Sequence, residues 1–280
     1  MRPATQKEDI GNTPFPVAAN WENSMTGELV AMLAAPQIEL PGAEPTALIL
    51  LRWIHLAAGI TWIGLLYFFN LVNVPFQKEL DARTRLVVVP NLMPKALWWF
   101  RWSSVVTVLV GIAYWMHIVG TDVRNAAVTG QTASAATMFT SFFLLWTLAF
   151  VIEMGVLMSP VEALKKGLVL GVIMAVVLLL AAYVFLSINH QGWESNRALA
   201  IGIGGGLGWF MMLNVWGIVW RMQKKIIRWT AAAAQGTPMP PEAAKVARLA
   251  FLTAGMNFWL SFPMLFFMGA ASHYIMFAAR

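Results

Sequence analysis

Six long apolar segments constrain this chain more than any other feature of its sequence. A bilayer core requires about 20 predominantly apolar residues in a helix, because a helix satisfies its backbone hydrogen bonds within one segment. The sequence therefore predicts an all-α membrane bundle of about six transmembrane helices in contact with the lipid bilayer. In chain order the segments are 48–74, 97–119, 135–158, 167–188, 199–221 and 249–277.

The composition supports this fold class and excludes several kinds of site. Hydrophobic residues make up 59% of the chain and charged residues only 11%, whereas soluble domains carry roughly 25% charged residues. Cysteine is absent, which excludes disulfides, thiolate metal sites and iron–sulfur clusters. The net charge of +6 comes without a basic patch in a soluble domain, so no nucleic-acid partner is expected.

The first part of the chain differs from the rest. Residues 1–45 mix charges with Pro and Asn, and their one apolar run, 28–36, is too short to cross a membrane. We expect an N-terminal extramembrane leader over 1–45, with a short interfacial helix at 28–36. The six-helix transmembrane domain then occupies 46–280.

Prolines mark several predicted helix boundaries, because a proline lacks the N–H that a helix interior requires. Pro75 should end the first segment, and Pro90 and Pro94 should precede the second. Pro263 lies within the sixth segment and should kink that helix.

Basic loops indicate the orientation. Positive charges concentrate in 78–85, 162–166 and 221–228, and by the positive-inside rule these loops face the cytoplasm. A cytoplasmic loop at about 222–248 is long enough for a short helix of its own. Both termini are then predicted to face outward, which in a bacterial inner membrane is the periplasmic side.

A glycine-rich stretch, IGIGGGLG, occupies 201–208. It lacks the G-x-G-x-x-G spacing of a dinucleotide site and follows no strand. The Gly202/Gly206 and Gly204/Gly208 pairs have the small-xxx-small spacing that allows transmembrane helices to approach closely. We therefore predict a helix-packing role for this stretch.

All four histidines are predicted to lie in the outer half of the membrane. His55, His117, His190 and His273 are the candidate metal ligands, because a chain without cysteine offers imidazole as its main ligand. His55 and His117 are the more deeply embedded pair, and we favour them as ligands of a haem b.

Three further residues fit a cofactor at His55. Gly59 and Trp62 follow His55 at helical spacing, and Gly59 would leave room for a flat ring. Arg52 lies one turn further out and could pair with a propionate. Copper, or no metal at all, remains an alternative, in which His55 hydrogen-bonds a neighbouring helix and the other histidines are interfacial.

A second polar set is predicted in the inner half of the membrane. The candidate catalytic residues are Arg101, Glu153, Asn70 and Asn257, and Asn73 and Asn214 extend the set. Because a buried unpaired charge is costly, we expect Arg101 and Glu153 to pair. The set could form a pocket for a small substrate or quinone, or it could provide hydrogen bonds between helices.

Three stretches resemble the membrane domain of bacterial cytochrome-c-fused urate oxidases, the membrane urate hydroxylase family. They are HLAAGITWIGLLYFFN (55–70), NLMPKALWWFRW (91–102) and PMLFFMGAASHY (263–274). The resemblance implies oxidation of urate to 5-hydroxyisourate, with electrons passing to a C-terminal cytochrome c domain.

These 280 residues contain no C-x-x-C-H motif for a c-type haem. The resemblance therefore implies a separate cytochrome c as electron acceptor. The alternative is a non-enzymatic accessory subunit, with or without haem, of a larger respiratory or photosynthetic membrane complex.

Overall fold

The computed structural model describes residues 42–277. The helix predicted at 28–36, and nearly all of the leader predicted over 1–45, lie outside these residues. Within 42–277 every regular element is a helix and none is a strand. Six helices are long and apolar enough to cross a membrane, which confirms the predicted fold class. They are the first span Ala43–Glu79, the second Ala82–Val128, the third Ala135–Met158, the fourth Gly167–Asn189, the fifth Asn196–Ala233 and the sixth Ala243–Ala270.

The first span continues past the proline that was predicted to end it. An α-helix over Ala43–Tyr67 passes into a π-helical segment, Phe68–Asn73, and then into a last α-helix, Val74–Glu79. Pro75 is in the first turn of this last helix, where a missing N–H is best tolerated. The predicted end at residue 74 is therefore wrong by about one turn.

The second span begins earlier than predicted, at Ala82, so that Pro90 and Pro94 lie inside it. The Asp81 side chain caps its first turn and accepts hydrogen bonds from the backbone N–H groups of Arg83 and Thr84. A strong N-cap starts the helix here, and membrane helices tolerate internal prolines.

The fifth span is the most buried of the six and lies at the centre of the bundle. It consists of an α-helix over Asn196–Asn214, a π-helical segment over Val215–Val219 and an α-helix over Trp220–Ala233. The helix predicted within the loop 222–248 is thus the continuation of this span. Its basic residues are good helix formers, and the chain turns only near Gly236, whose φ is +90°.

Glycines of the fifth span allow the neighbouring aromatic rings to reach its backbone. A Cβ on Gly206 would lie 1.9 Å from the Trp146 indole, and one on Gly202 would lie 2.4 Å from the Phe185 ring. The predicted packing role is confirmed at these two positions. At Gly208 a Cβ would meet no described atom within 4 Å.

The remaining connections are short. A 3₁₀ turn over Glu162–Lys165 joins the third and fourth spans, and a Lys165–Glu162 ion pair of 2.9 Å stabilises it. The sixth span contains Pro263, as expected, and ends at Ala270, earlier than the predicted residue 277. His273 therefore follows the helix.

Candidate functional site

Three polar side chains from three different spans meet in the half of the bundle that the basic loops predict to be cytoplasmic, called the inner half below. Glu153 of the third span and Asn214 of the fifth are 0% exposed, and Asn257 of the sixth is 1% exposed. Asn214 donates from Nδ2 to Oδ1 of Asn257 at 3.0 Å. Asn257 in turn donates from Nδ2 to the Met211 carbonyl, also at 3.0 Å. We call Glu153, Asn214 and Asn257 the inner polar layer.

Glu153, at the end of this layer, receives no hydrogen bond from a described residue. Its carboxyl lies beside the Asn214 side chain, yet in the described part of the chain no donor reaches either carboxyl oxygen in hydrogen-bond geometry. Asn214 Oδ1 likewise has no donor. The Glu153 carboxyl oxygens and Asn214 Oδ1 are therefore buried acceptors without a donor among the described residues.

The expected ion pair between Arg101 and Glu153 is not formed. Instead, the Arg101 guanidinium lies over three tryptophan rings, 4.2 Å from the ring centroid of Trp220, 4.9 Å from that of Trp216 and 5.4 Å from that of Trp102. Aromatic faces attract a cation and require less desolvation than a carboxylate partner. We call Arg101 and these three rings the tryptophan cage.

The π-helical segment of the fifth span links the cage to the inner polar layer. Val215, its first residue, donates its N–H to the carbonyls of both Met211 and Met212, and Trp216 donates its indole N–H to the Arg101 carbonyl at 3.3 Å. π-Helical turns are rare and occur frequently at functional sites. This segment begins directly after Asn214. Its helical geometry therefore sets the directions in which the side chains of the cage and of the inner polar layer project from the fifth span.

The other two asparagines of the predicted set remain outside the layer. Asn70 donates to the Leu66 carbonyl of its own helix at 2.8 Å. Asn73 donates to the Met93 sulfur at 3.7 Å and accepts from Gln77 at 3.4 Å. The structure thus brings Glu153 and Asn257 together but places Asn70 elsewhere.

A cleft opens next to the inner polar layer. It has a volume of about 240 Å³, and its walls come from the third, fifth and sixth spans. Leu157 and Ile218 line it, and each lies one helical turn beyond a member of the layer, Glu153 or Asn214. Arg221 and Lys225 also line the cleft and are exposed. An anion could therefore approach the layer along a cationic wall.

In the outer half, His55 packs tightly against the second span. Its Nδ1 lies 2.8 Å from the Thr107 carbonyl oxygen, and a Cβ on Gly111 would come within 2.7 Å of its ring. A carbonyl only accepts, so Nδ1 carries the hydrogen and Nε2 keeps its lone pair. Metal-bound histidines are usually oriented in this way, and the arrangement fits an axial ligand as well as a histidine that joins two helices.

The predicted ligand set contains three further histidines. His117 lies six residues beyond Gly111 on the second span, about 9 Å further out at 1.5 Å per residue. The His190 ring stands 6.5 Å from that of Phe277, and the His273 N–H donates to the Ala270 carbonyl. Among residues 42–277 no three His, Asp or Glu side chains form a group able to hold a metal. The ligand pair of His55 and His117 stays a prediction.

Two arginines flank one tyrosine at the outer end of the bundle. Arg52 lies 5.8 Å and Arg197 5.2 Å from the ring centroid of Tyr114, and Arg197 also donates to the Tyr114 hydroxyl. Arg52 lies three residues, about one helical turn, before His55 on the first span.

The remaining two predicted cofactor residues contact the second span or the core. A Cβ on Gly59 would lie 3.6 Å from Thr107 Cγ2, so the side of Gly59 where a ring was expected faces the second span. Trp62 is 1% exposed, and its Nε1 has no partner among the described residues.

Sequence reasoning missed several residues of both regions. Trp216 and Trp220 lie four apart on one helix face, a spacing that could have indicated a shared partner. Tyr114 and Arg197 carry no comparable signal, because they come from different spans and meet only in the folded bundle.

Comparison with known proteins gives one match. A family model described as "Urate oxidase N-terminal" matches residues 44–280, which is well over half of the chain. No curated protein and no solved structure matches significantly.

Proposed function

Because the chain belongs to the urate oxidase N-terminal family, we propose that it is a membrane oxidoreductase that oxidises urate or a closely related purine anion. The inner polar layer, with its cationic cleft, is the observation that carries this proposal. It is a buried set of hydrogen-bonding groups next to a positively charged entrance, and small-substrate sites generally combine these features. Electrons would leave towards a separate cytochrome c on the outer side of a bacterial inner membrane.

In the proposed reaction water supplies the added oxygen atom and cytochrome c accepts the electrons. Urate and water give 5-hydroxyisourate, two protons and two electrons, and each molecule of cytochrome c accepts one electron. Arg221 and Lys225 would attract the urate anion, as cations that line a cleft raise the local concentration of an anionic substrate. Asn214, Asn257 and Glu153 would orient its ring through hydrogen bonds.

A haem b in the outer half would supply the one-electron carrier between the substrate and the cytochrome. His55 supports such a group, because Nε2 keeps its lone pair while Nδ1 is bound to Thr107. Gly59 would not contribute space for the ring, since it packs against the second span. Arg52 and Arg197 would hold the propionates. A copper ion on the same imidazole is the alternative, since imidazole suits both.

The test uses the purified protein in lipid nanodiscs, with urate and added oxidised cytochrome c. We expect urate-dependent reduction of two cytochrome c molecules per urate consumed. In the double variant Arg221→Gln/Lys225→Gln the KM for urate should rise while kcat changes little, because the lost charges attract the substrate and lie outside the buried layer. Arg83→Gln, which removes an exposed charge that does not line the cleft, is the matched control.

The absence of urate-dependent reduction in a folded sample with intact haem absorption would overturn the enzymatic proposal. Co-purification of the chain with other redox subunits would then favour the accessory-subunit alternative. A rise in KM that is equally large in Arg83→Gln would contradict the role of the cleft while leaving the activity itself in place.

A further inference from the structure

The direction of hydrogen bonding through the inner polar layer is fixed at one end by a backbone carbonyl. The Met211 oxygen can only accept, so Asn257 must direct its NH₂ group towards it, as it does at 3.0 Å. Asn257 Oδ1 then faces Asn214 and requires a donor, and the Asn214 NH₂ group supplies it at 3.0 Å. Asn214 Oδ1 is thereby left as an acceptor beside Glu153.

Turning the side-chain amides of Asn214 and Asn257 by 180° would not satisfy all of the acceptors in this chain of hydrogen bonds. A turned Asn214 would direct its oxygen at the Asn257 oxygen. Turning Asn257 as well would direct that oxygen at the Met211 carbonyl. Each alternative places two acceptors against each other in the core, where an unsatisfied polar group costs about 1–3 kcal/mol.

The Glu153 side chain lies beside that of Asn214 and could supply the missing hydrogen. As a carboxylate it would be a buried charge to which no described residue offers a cation or a donor, which is strongly unfavourable. As a neutral carboxylic acid it has one O–H to donate. A single proton would therefore satisfy both Asn214 Oδ1 and the buried carboxyl group.

We infer that Glu153 is a proton-carrying site that, in the resting protein, holds a proton, donates it to Asn214 Oδ1 and exchanges it with water through the Arg221–Lys225 cleft. Release of this proton would convert the carboxylic acid to a carboxylate and transfer the proton to water in the cleft. The assignment concerns the resting protein and stands whether or not the proposed oxidation occurs.

The cleft comes within about one helical turn of Glu153. Glu153 is 0% exposed, but Leu157, one turn along the same helix, lines the cleft together with Ile218 and Gly217. The Phe150 ring packs against Gly217, where a Cβ would lie 2.6 Å from it, and Ile218 and Gly217 both belong to the π-helical segment. A small separation of Leu157 and Ile218 would connect the buried carboxyl to the water around Arg221 and Lys225.

Infrared spectroscopy of the resting protein in nanodiscs tests the protonation state without substrate. The carboxylic C=O band should be present in the wild type and absent in Glu153→Gln, and it should shift in D₂O. The Gln NH₂ group still donates to Asn214 Oδ1, so this variant should keep the fold. Glu162→Gln alters an exposed glutamate that is paired with Lys165 and should leave the band unchanged. A Glu153→Gln difference spectrum with carboxylate bands in place of the C=O band would overturn the assignment.

The rate of the D₂O shift tests the route. Leu157→Trp should narrow the cleft and slow the exchange several-fold, whereas Leu148→Trp, at an exposed position of the same helix, should not. Equal exchange rates in both variants would overturn the route through the cleft. A wild-type band that does not shift in D₂O would overturn exchange with water altogether.

Discussion

Asn214 of the fifth span and Asn257 of the sixth are joined by a hydrogen bond of 3.0 Å, and both side chains are buried. Asn257→Ala removes the acceptor for Asn214 and the donor for the Met211 carbonyl. We expect the free energy of unfolding in detergent to fall by about 1–2 kcal/mol, as for other hydrogen bonds between membrane helices. The control is Asn91→Ala, since Asn91 is exposed and bonds only within its own helix. Equal losses in the two variants would contradict a special role for the buried pair.

Gly206 and Gly208 offer a matched test of helix packing. A Cβ at Gly206 would lie 1.9 Å from the buried Trp146 ring, whereas a Cβ at Gly208 meets no described atom within 4 Å. We expect Gly206→Ala to destabilise the protein by about 1–3 kcal/mol or more, as overpacking does. Gly208→Ala should be neutral or slightly stabilising because alanine favours the helix. Thermal unfolding measures both, and a tolerated Gly206→Ala would mean that the fifth span can move away from the third.

The tryptophan cage predicts that lysine cannot substitute for Arg101 without a loss of stability. A guanidinium stacks flat on aromatic rings, whereas an ammonium is a compact and strongly hydrated charge. Arg101→Lys should shift the tryptophan fluorescence and reduce stability by about 0.5–2 kcal/mol. Arg83→Lys, at an exposed position in the first turn of the second span, should change neither. An unchanged emission spectrum in Arg101→Lys would argue against the cage.

The packing of His55 allows the haem proposal to be tested without altering the histidine. Gly111→Ala places a Cβ 2.7 Å from the His55 ring and should displace it, whereas Gly59→Ala makes only an ordinary contact of 3.6 Å with Thr107. If Nε2 of His55 binds haem, Gly111→Ala and His55→Ala should both weaken or abolish the reduced α-band. Gly59→Ala should retain it. Full α-bands in both His55→Ala and Gly111→Ala would place the ligands elsewhere.

Asp81 should make the stability of the second span depend on pH. Hydrogen bonds from the Thr84 hydroxyl and backbone N–H lower the pKa of its carboxyl. A lowered folded-state pKa means that the cap contributes fully above the ordinary pKa of aspartate, about 3.9, and is lost as pH falls through the lower folded value. Asp81→Ala should therefore reduce the thermal midpoint at neutral pH, and this difference from wild type should shrink in acid. Glu79→Ala is the exposed control, and a difference that does not vary with pH would rule out titration of the cap.

Helix periodicity and apolar length located the six spans but misplaced several of their ends. Pro90 and Pro94 are poor helix residues in general, yet the Asp81 cap starts the helix before them. The sequence also identified Glu153, Asn257 and Arg101 as candidate polar residues, because polar groups are rare and conspicuous in such segments. It could not show which of them meet, since contacts between spans depend on rotation and depth of each helix.

The sequence by itself determined the all-α membrane class, the close packing at Gly202 and Gly206, and the family resemblance. These depend on local properties, namely apolar length, residue size and short motifs. Only the tertiary structure decided that the Arg101 guanidinium lies over three tryptophan rings. It also decided that Glu153 lies beside Asn214, with no cationic partner among the described residues. The physical reason is that a buried charge takes whichever partner the crossing helices bring within reach, and a π-helical turn after Asn214 changes which side chains those are.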